Sequence, residues 1–192
     1  MTILTLLFQF LPKMKFTKDF LWKHNMQVND FLNEIGDVGF QSVELKNASD
    51  LIVRMKSSDC KIYLTFTSNM VTSGLRGFFA QLIKLNISHV IVTTAGAIEE
   101  DIMKSLGEKF EIGNFNSDDI ELHERGENRV GNLIIRNESY MKFEDWIIPV
   151  LKELYKKKNH WTVSEFLREI GFKLDDENSI LYQASKNNVP IF

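Results

Sequence analysis

The sequence predicts an α/β protein with a Rossmann-like parallel sheet and flanking helices, and three observations favour that fold class. Two segments rich in β-branched and aromatic residues, 61–67 and 89–94, have the composition of strands. Apolar residues recur at helical spacing between them, over 75–85, and again after them, over 98–106. The resulting β-α-β-α order favours parallel pairing with a right-handed crossover. The 192 residues give room for one globular domain.

The N-terminal region is predicted to contain an extension, 1–27, followed by two helices. An apolar run in the extension, 3–11, is too short to span a bilayer and follows no basic residue, which disfavours a signal peptide. Apolar residues at helical spacing then predict a helix over 28–35 and a second one over 40–55. We expect the extension to lie outside the folded region 28–192, as a candidate partner contact.

The chain beyond Gly107 is predicted to form short strands and turns before three further helices. The segment 132–135 has the apolar composition of a strand. Helical spacing predicts helices that begin near Met141, Thr162 and Ser179. The last four residues, 189–192, are typical of the opening of another strand.

Charge, cysteine and histidine content argue against several classes of protein. The net charge of -3 gives no general electrostatic attraction to nucleic acid or to an anionic membrane. The single cysteine, Cys60, forms no internal disulfide and lacks the second thiolate of a zinc site, so we expect a reducing, cytoplasmic compartment. The four histidines show no zinc-binding spacing, and we expect no metal.

Both predicted strands end in turns of small and polar residues, 67–74 and 94–96. In an open parallel sheet, ligands bind outside the carboxyl ends of the strands, where the next helices present free backbone N–H groups. The hydroxyl groups and backbone donors of these turns suit a phosphate or a ribose. Neither G-x-G-x-x-G nor a P-loop is present, and hydroxyl-rich turns also cap helices, so the residues alone leave both interpretations open.

Three acids, Glu99, Glu100 and Asp101, follow the second turn and are expected in the first turn of a helix. Carboxylates there complement the positive end of the helix, and Asp101 fits this interpretation best. The alternative is that one or two of them face a cationic substrate, because a polyamine needs anionic partners along its length.

Five motifs follow one another along the chain: Thr67-Ser68-Asn69, Thr93-Thr94-Ala95-Gly96, Ile98-Glu99-Glu100-Asp101, Asn128-Arg129-Val130-Gly131-Asn132-Leu133 and Lys142-Phe143-Glu144-Asp145-Trp146. In order and spacing they resemble the deoxyhypusine synthase family, especially its eukaryotic-like branch, over about 28–192. The resemblance implies a tetrameric, NAD-dependent transferase. Such an enzyme moves the aminobutyl group of spermidine to one lysine of the translation initiation factor five-A precursor.

The resemblance also implies roles for individual residues. One NAD-contacting loop would consist of Ser68, Asn69, Met70, Val71 and Thr72, and another of Thr94, Ala95 and Gly96. Glu99 and Glu100 match positions that line the spermidine pocket. Ala97 stands where the family usually has a second glycine, a small change that is tolerated unless the backbone at this position needs a positive φ.

Length is the larger departure, because chains of the family are roughly twice as long. The lysine that carries the imine lies in the half that is missing here, so no catalytic residue is assigned in this chain. We expect an N-terminal, NAD-side half with an incomplete sheet, in a tetramer-like hetero-oligomer with the lysine-bearing C-terminal half. Alternatives are a noncatalytic regulatory or structural subunit that binds an active paralogue, and a shortened form of the enzyme.

Overall fold

The computed structural model describes residues 15–192, which belong to two compact units, Met1–Cys60 and Lys61–Phe192. The apolar run 3–11 of the predicted extension therefore lies outside the described residues. Within the described part of the chain, no helix is both long and apolar enough to cross a membrane. The same residues contain no group of three or more His, Cys, Asp or Glu side chains that could hold a metal ion.

The first unit contains the two helices that the spacing predicts, α1 (Val28–Ile35) and α2 (Phe40–Ser57). The turn between them passes through Gly39, whose φ of 108° lies in the region that favours glycine. At Gly36, an added Cβ would lie 2.8 Å from the Cγ of Lys46 on α2. The glycines that end the first helix therefore also allow the two helices to pack closely.

The second unit is built around a short parallel sheet, which confirms the predicted fold class. Strand β1 (Tyr63–Thr65) pairs in parallel with β2 (Val90–Val92), so that Leu64 lies opposite Ile91. Ile191 forms a parallel bridge with Ile91 along the other edge of β2, which confirms the strand predicted at the last residues. Both β1 and β2 are shorter than predicted, because the residues that follow them enter helices.

Two segments that the sequence predicts as turns are helical, which corrects the prediction. Helix α3 (Ser68–Thr72) replaces the polar turn after β1, and α5 (Ala95–Ser105) begins inside the predicted second turn. Gly96 allows the first turn of α5 to lie close to α3, since an added Cβ there would lie 3.2 Å from the Cβ of Ser68. Close packing of α5 on α3 therefore stabilises a first turn in which glycine is unfavourable by propensity.

Helix α4 (Arg76–Lys84) leads from α3 to β2, and α9 (Ile180–Lys186) packs against it. Phe66 and Phe79 stack with their ring centroids 4.2 Å apart, which joins the sheet to α4. The buried side chains around the sheet form one core, which includes Val71, Ile83, Ile91, Ala97, Ile102, Leu154, Ile170, Leu181 and Ile191.

A second, antiparallel sheet adds to the predicted architecture. Its strands are β3 (Glu111–Ile112), β4 (Glu127–Val130) and β5 (Leu133–Arg136), in the order β3-β5-β4, and α6 (Asp119–Glu124) lies between the first two in sequence. The β4–β5 hairpin turns at Gly131, which has a φ of 64°. The segment predicted as a strand, 132–135, is therefore confirmed within one residue.

The last three predicted helices are present, with one boundary corrected. Helix α7 (Asn137–Lys157) begins directly after β5 rather than near Met141. Its first turn is polar, and there the hydroxyl of Ser139 donates to Glu108 over 2.6 Å, so no apolar spacing marks the start. Helix α8 (Val163–Gly171) follows, and Ser179 caps α9 by accepting a hydrogen bond from a backbone N–H.

Candidate ligand site at the carboxyl edge of the parallel sheet

The two predicted cofactor segments lie side by side at the carboxyl edge of the parallel sheet. β1 leads into α3, and β2 leads into α5, so both helices begin at the same edge. Gly96 packs closely against Ser68, as described above. The structure therefore brings 68–72 and 94–96 together, although the two segments are far apart in sequence.

The first turn of α5 offers hydrogen-bond donors to a ligand. The first internal bond of this turn runs from the backbone N–H of Ala97 to the carbonyl of Thr94, over 3.0 Å. The N–H groups of Ala95 and Gly96 precede it and have no acceptor within the helix. Together with the exposed hydroxyl of Thr94, these donors at the positive helix end suit a phosphate or a ribose.

A cavity of about 440 Å³ opens beside this turn. Among the predicted site residues, Thr94, Ala95 and Glu99 line it, whereas 68–72, Gly96 and Glu100 do not. Apolar side chains of α5, α7 and α8 form most of its wall, namely Ile98, Ile102, Phe143, Ile147, Leu151, Val163, Phe166, Leu167 and Ile170, with Phe192 beside them. Its size and its few polar groups are typical of a ligand pocket.

Glu100 lies in the second turn of α5 and is buried, with 6% of its surface exposed. The hydroxyl of Thr72, at the end of α3, donates to its carboxylate over 2.7 Å. Burial raises the pKa of Glu100 above the usual range, and the hydrogen bond from Thr72 offsets part of that rise. A predicted cofactor residue and a predicted substrate residue are thus directly coupled.

Glu99 and Tyr140 bring further polar groups to the same region. Burial raises the pKa of the Glu99 carboxyl. The pKa of the Tyr140 phenol is raised by burial and, in addition, by the negative charges of Glu99 and Glu100. Within residues 15–192, no lysine or arginine forms an ion pair with either acid. A cation bound beside Glu99 and Glu100 would therefore stabilise their charged forms and lower the pKa of both carboxyls.

Sequence reasoning missed Tyr140 because it lies in the polar first turn of α7, where no apolar spacing or motif marks it. It likewise assigned no role to Lys104. The Lys104 ammonium donates to the carbonyls of Val71, Thr72 and Ser73 over 2.6, 2.9 and 3.0 Å. Burial lowers its pKa, and the charge of Arg76 lowers it further. All three N–H bonds are used to hold the end of α3, next to Glu100.

The three acids lie in the second turn of α5 and not in its first turn as predicted, because the helix begins at Ala95. The surroundings of Asp101 also differ from the prediction. Its carboxylate is fully buried, and it complements the N-terminus of α9 rather than that of its own helix. The backbone N–H groups of Ile180 and Leu181 donate to it over 3.1 and 2.8 Å. Arg76 donates through Nε over 2.6 Å, so this acid joins three helices and does not face the cavity.

The fold and the site define an open α/β protein whose candidate ligand cavity lies at the carboxyl edge of parallel strands. Comparison with known proteins identifies the family. Residues 30–192 match the deoxyhypusine synthase family. This chain belongs to that family, as the five motifs predict.

Individual relatives show how much of the family this chain covers. It is 39% identical to the probable deoxyhypusine synthase of Schizosaccharomyces pombe, over 86% of this chain and 51% of the relative. It is 44% identical to the deoxyhypusine synthase of Senecio vernalis, over 71% of this chain and 38% of the relative. A crystal structure from Entamoeba histolytica, assigned as a deoxyhypusine synthase, superposes with a TM-score of 0.65 and 29% identity, over 92% of this chain and 62% of that one. The chain thus corresponds to the N-terminal part of the family and spans 51% and 38% of the lengths of these two curated relatives.

Proposed function

We propose that this chain is the NAD-side half of a deoxyhypusine synthase. The complete enzyme would transfer the 4-aminobutyl group of spermidine to a lysine of the translation initiation factor five-A precursor. One observation carries the proposal: helix donors suited to phosphate meet, at one edge of the sheet, two carboxyls that form no ion pair with any lysine or arginine of residues 15–192. Membership of the family supports the assignment of those groups to NAD and spermidine.

The residues present fit the proposed cofactor. The small side chain of Ala95 leaves the first turn of α5 open to a flat or anionic group, and Thr94 adds a hydroxyl, whereas Gly96 packs against Ser68. When bound there, NAD would supply a hydride acceptor for spermidine. The chain's own part is to hold NAD at the first turn of α5, against which segment 68–72 packs. The apolar side chains of the cavity would keep water away.

Glu99 and Glu100 are proposed to hold the polyamine. An ammonium of spermidine in the cavity would donate a charge-assisted hydrogen bond to Glu99, whereas the buried Glu100 would act on it through its negative charge. Glu99 lines the cavity, whereas Glu100 does not, and the hydroxyl of Thr72 holds the Glu100 carboxylate in place. This arrangement fixes the position of the substrate carbon relative to the cofactor.

The lysine that forms the imine is proposed to lie on a second polypeptide, the C-terminal half, within a tetramer-like cytoplasmic hetero-oligomer. Transfer through an imine needs a deprotonated amine within reach of the butyl group. Lys104 is the lysine nearest Glu100 in sequence, and its three N–H bonds are all donated to carbonyl groups of this chain. The half-length match to the relatives supports the same division.

Reconstitution tests the proposal. This chain alone is expected to release no diaminopropane from spermidine and NAD, and activity is expected when a lysine-bearing C-terminal half is added. NAD-dependent cleavage by this chain alone would contradict the division. If the chain instead alters the rate of a complete, already active synthase, it is the regulatory subunit of the alternative interpretation.

A further inference from the structure

The hydroxyl of Thr72 lies within hydrogen-bond distance of two acceptors. One is the carboxylate of Glu100 on α5, at 2.7 Å, and the other is the carbonyl of Ser68 in its own helix, at 3.1 Å. We infer that Thr72 is a positioning residue, whose hydroxyl keeps Glu100 an oriented carboxylate and thereby sets the affinity of the site for a polyamine. The inference rests on the proposed function. It places Thr72 on the substrate side, although the resemblance implies a cofactor contact.

Thr72 is too buried to act on a ligand directly. Only 2% of its surface is exposed, and it does not line the cavity. Glu100 is almost as buried, and among residues 15–192 no other side chain donates a hydrogen bond to it. A buried carboxylate with a single side-chain donor depends strongly on that donor for its charged form. Thr72 therefore acts on the substrate through Glu100.

The charge of Glu100 decides which acceptor the hydroxyl uses, because a hydroxyl has one proton to donate. When Glu100 is ionised, the shorter and charge-assisted bond to its carboxylate is favoured. When Glu100 is protonated, its own O–H can donate to the Thr72 oxygen, and the Thr72 proton then turns to the carbonyl of Ser68. Threonine thus serves both states of the acid, whereas valine would serve neither.

Lys104 fixes the position of this hydroxyl. Its ammonium donates to the backbone carbonyl of Thr72 over 2.9 Å and to the carbonyls on either side, so the end of α3 is tied to α5. These bonds involve the backbone of α3 alone. A change of side chain at position 72 therefore removes the hydroxyl without removing the contacts that hold the backbone beside Glu100.

The direction of the effect on pH dependence follows from the groups that face Glu100. Burial raises its pKa most, and the charge of Glu99 adds to the rise, whereas Thr72 and Lys104 lower it. Tyr140 faces the same acids from α7. Loss of the hydroxyl should move the titration of Glu100 to higher pH. Between the two titration midpoints the parent has a carboxylate and Thr72→Val a neutral acid, whereas above both midpoints their charges are equal.

Kinetics of the assembled enzyme across a pH series provide the first test. Between the midpoints, Thr72→Val is expected to raise the KM for spermidine by about tenfold or more, and the difference should shrink at higher pH. Thr72→Ser retains the hydroxyl and should stay within about twofold of the parent. Ser139→Ala is the matched control, because its buried hydroxyl donates over 2.6 Å to a different carboxylate, that of Glu108. It should leave the KM within about twofold at every pH.

A titration of the full chain alone provides a second test that needs no activity. Carbon-13 NMR of labelled glutamate follows the carboxyl of Glu100, and its signal is assigned by its loss in Glu100→Gln. The midpoint is expected at higher pH in Thr72→Val and unchanged in Thr72→Ser. If Thr72→Val does not fold, Thr72→Cys replaces the hydroxyl with a weak thiol donor and should move the midpoint in the same direction.

The outcomes separate this inference from the proposed function. An unmoved midpoint overturns the inference and leaves the proposed function standing. A rise in KM that is equal in Thr72→Val and Thr72→Ser, and independent of pH, assigns Thr72 to packing and also overturns the inference. A moved midpoint with an unchanged KM at every pH removes Glu100 from the substrate site and overturns the inference too. An assembled parent enzyme without activity overturns the proposed function, and with it the link between Thr72 and spermidine.

Discussion

Glu100 and Asp101 are adjacent on α5, yet their surroundings give them different tasks. Asp101 accepts hydrogen bonds from Arg76 and from the backbone of α9, so its charge is compensated within the fold. Within residues 15–192, the hydroxyl of Thr72 is the one side-chain group that donates a hydrogen bond to Glu100, and burial raises the pKa of Glu100. Position along the helix decides the difference, because successive side chains of a helix point in directions about 100° apart.

Replacement of Glu100 by Gln tests its role in the assembled enzyme. The change removes the charge with little change in volume, so we expect the KM for spermidine to rise by about tenfold or more while NAD affinity changes little. Steady-state kinetics and a separate NAD titration measure the two effects. Glu138→Gln, an exposed acid in the first turn of α7, is the control. Equal weakening of both ligands would assign Glu100 to the packing of α3 on α5 instead.

The helices and strands with regular apolar spacing could be predicted from the sequence, and the rest depends on packing. α1, α2, α8 and the parallel pair β1–β2 follow from local patterns of apolar residues. The start of α5 does not, since it depends on the contact between Gly96 and Ser68 on another helix. The contact of Asp101 with α9 could not be predicted from the sequence either, because it joins residues about eighty positions apart.

Gly171, at the end of α8, is predicted to be intolerant of any side chain. An added Cβ would lie 2.1 Å from the Oγ of Ser185 and 2.5 Å from the carbonyl oxygen of Leu181, both on α9. Gly171→Ala should therefore separate α8 from α9 and lower the free energy of unfolding by about 1–3 kcal/mol. Gly74→Ala is the control, because nothing lies within 4 Å of its added Cβ. Urea denaturation of both variants measures the difference, and equal midpoints would contradict the packing argument.

The N-terminal cap of α8 is predicted to weaken in acid. Glu165 accepts hydrogen bonds from Lys158 and from the backbone N–H of Thr162, over 2.8 and 3.0 Å, which lower its pKa to about 2. Because this pKa lies below the usual value, the carboxylate stabilises the fold above about pH 4.5, and the contribution is lost as the pH falls towards 2.

Glu165→Gln keeps the shape of the cap and removes the charge. We expect the variant to have a lower melting temperature than the parent chain at pH 7, and the difference to shrink steadily below pH 4.5. Thermal unfolding across this range measures it. Glu144→Gln, an exposed acid on α7, should show little difference at any of these pH values. A difference independent of pH would mean that the side chain acts through packing alone.

The whole chain contributes the binding side of the proposed enzyme. Its candidate donors and carboxyls meet at one edge of the parallel sheet, and the apolar wall beside them remains exposed. The five sequence motifs identified the family, because linked motifs in one order are more specific than any fold pattern. The shape of the cavity and the partners of Glu100 could not be predicted, since they depend on contacts among α3, α5 and α7.

The division of labour between the two polypeptides leads to a covalent test. In the reconstituted complex, borohydride reduces an imine between the butyl group and a lysine to a stable amine, which mass spectrometry locates. We expect the adduct on the C-terminal half, because the Lys104 ammonium donates its N–H bonds to three carbonyl groups at the C-terminal end of α3. Lys104→Arg keeps a cation at this position and removes the primary amine, so the yield of adduct should be unchanged. An adduct on any lysine of this chain would overturn the division, whereas a normal adduct in Lys104→Arg would show that this lysine serves only to hold α3 beside Glu100.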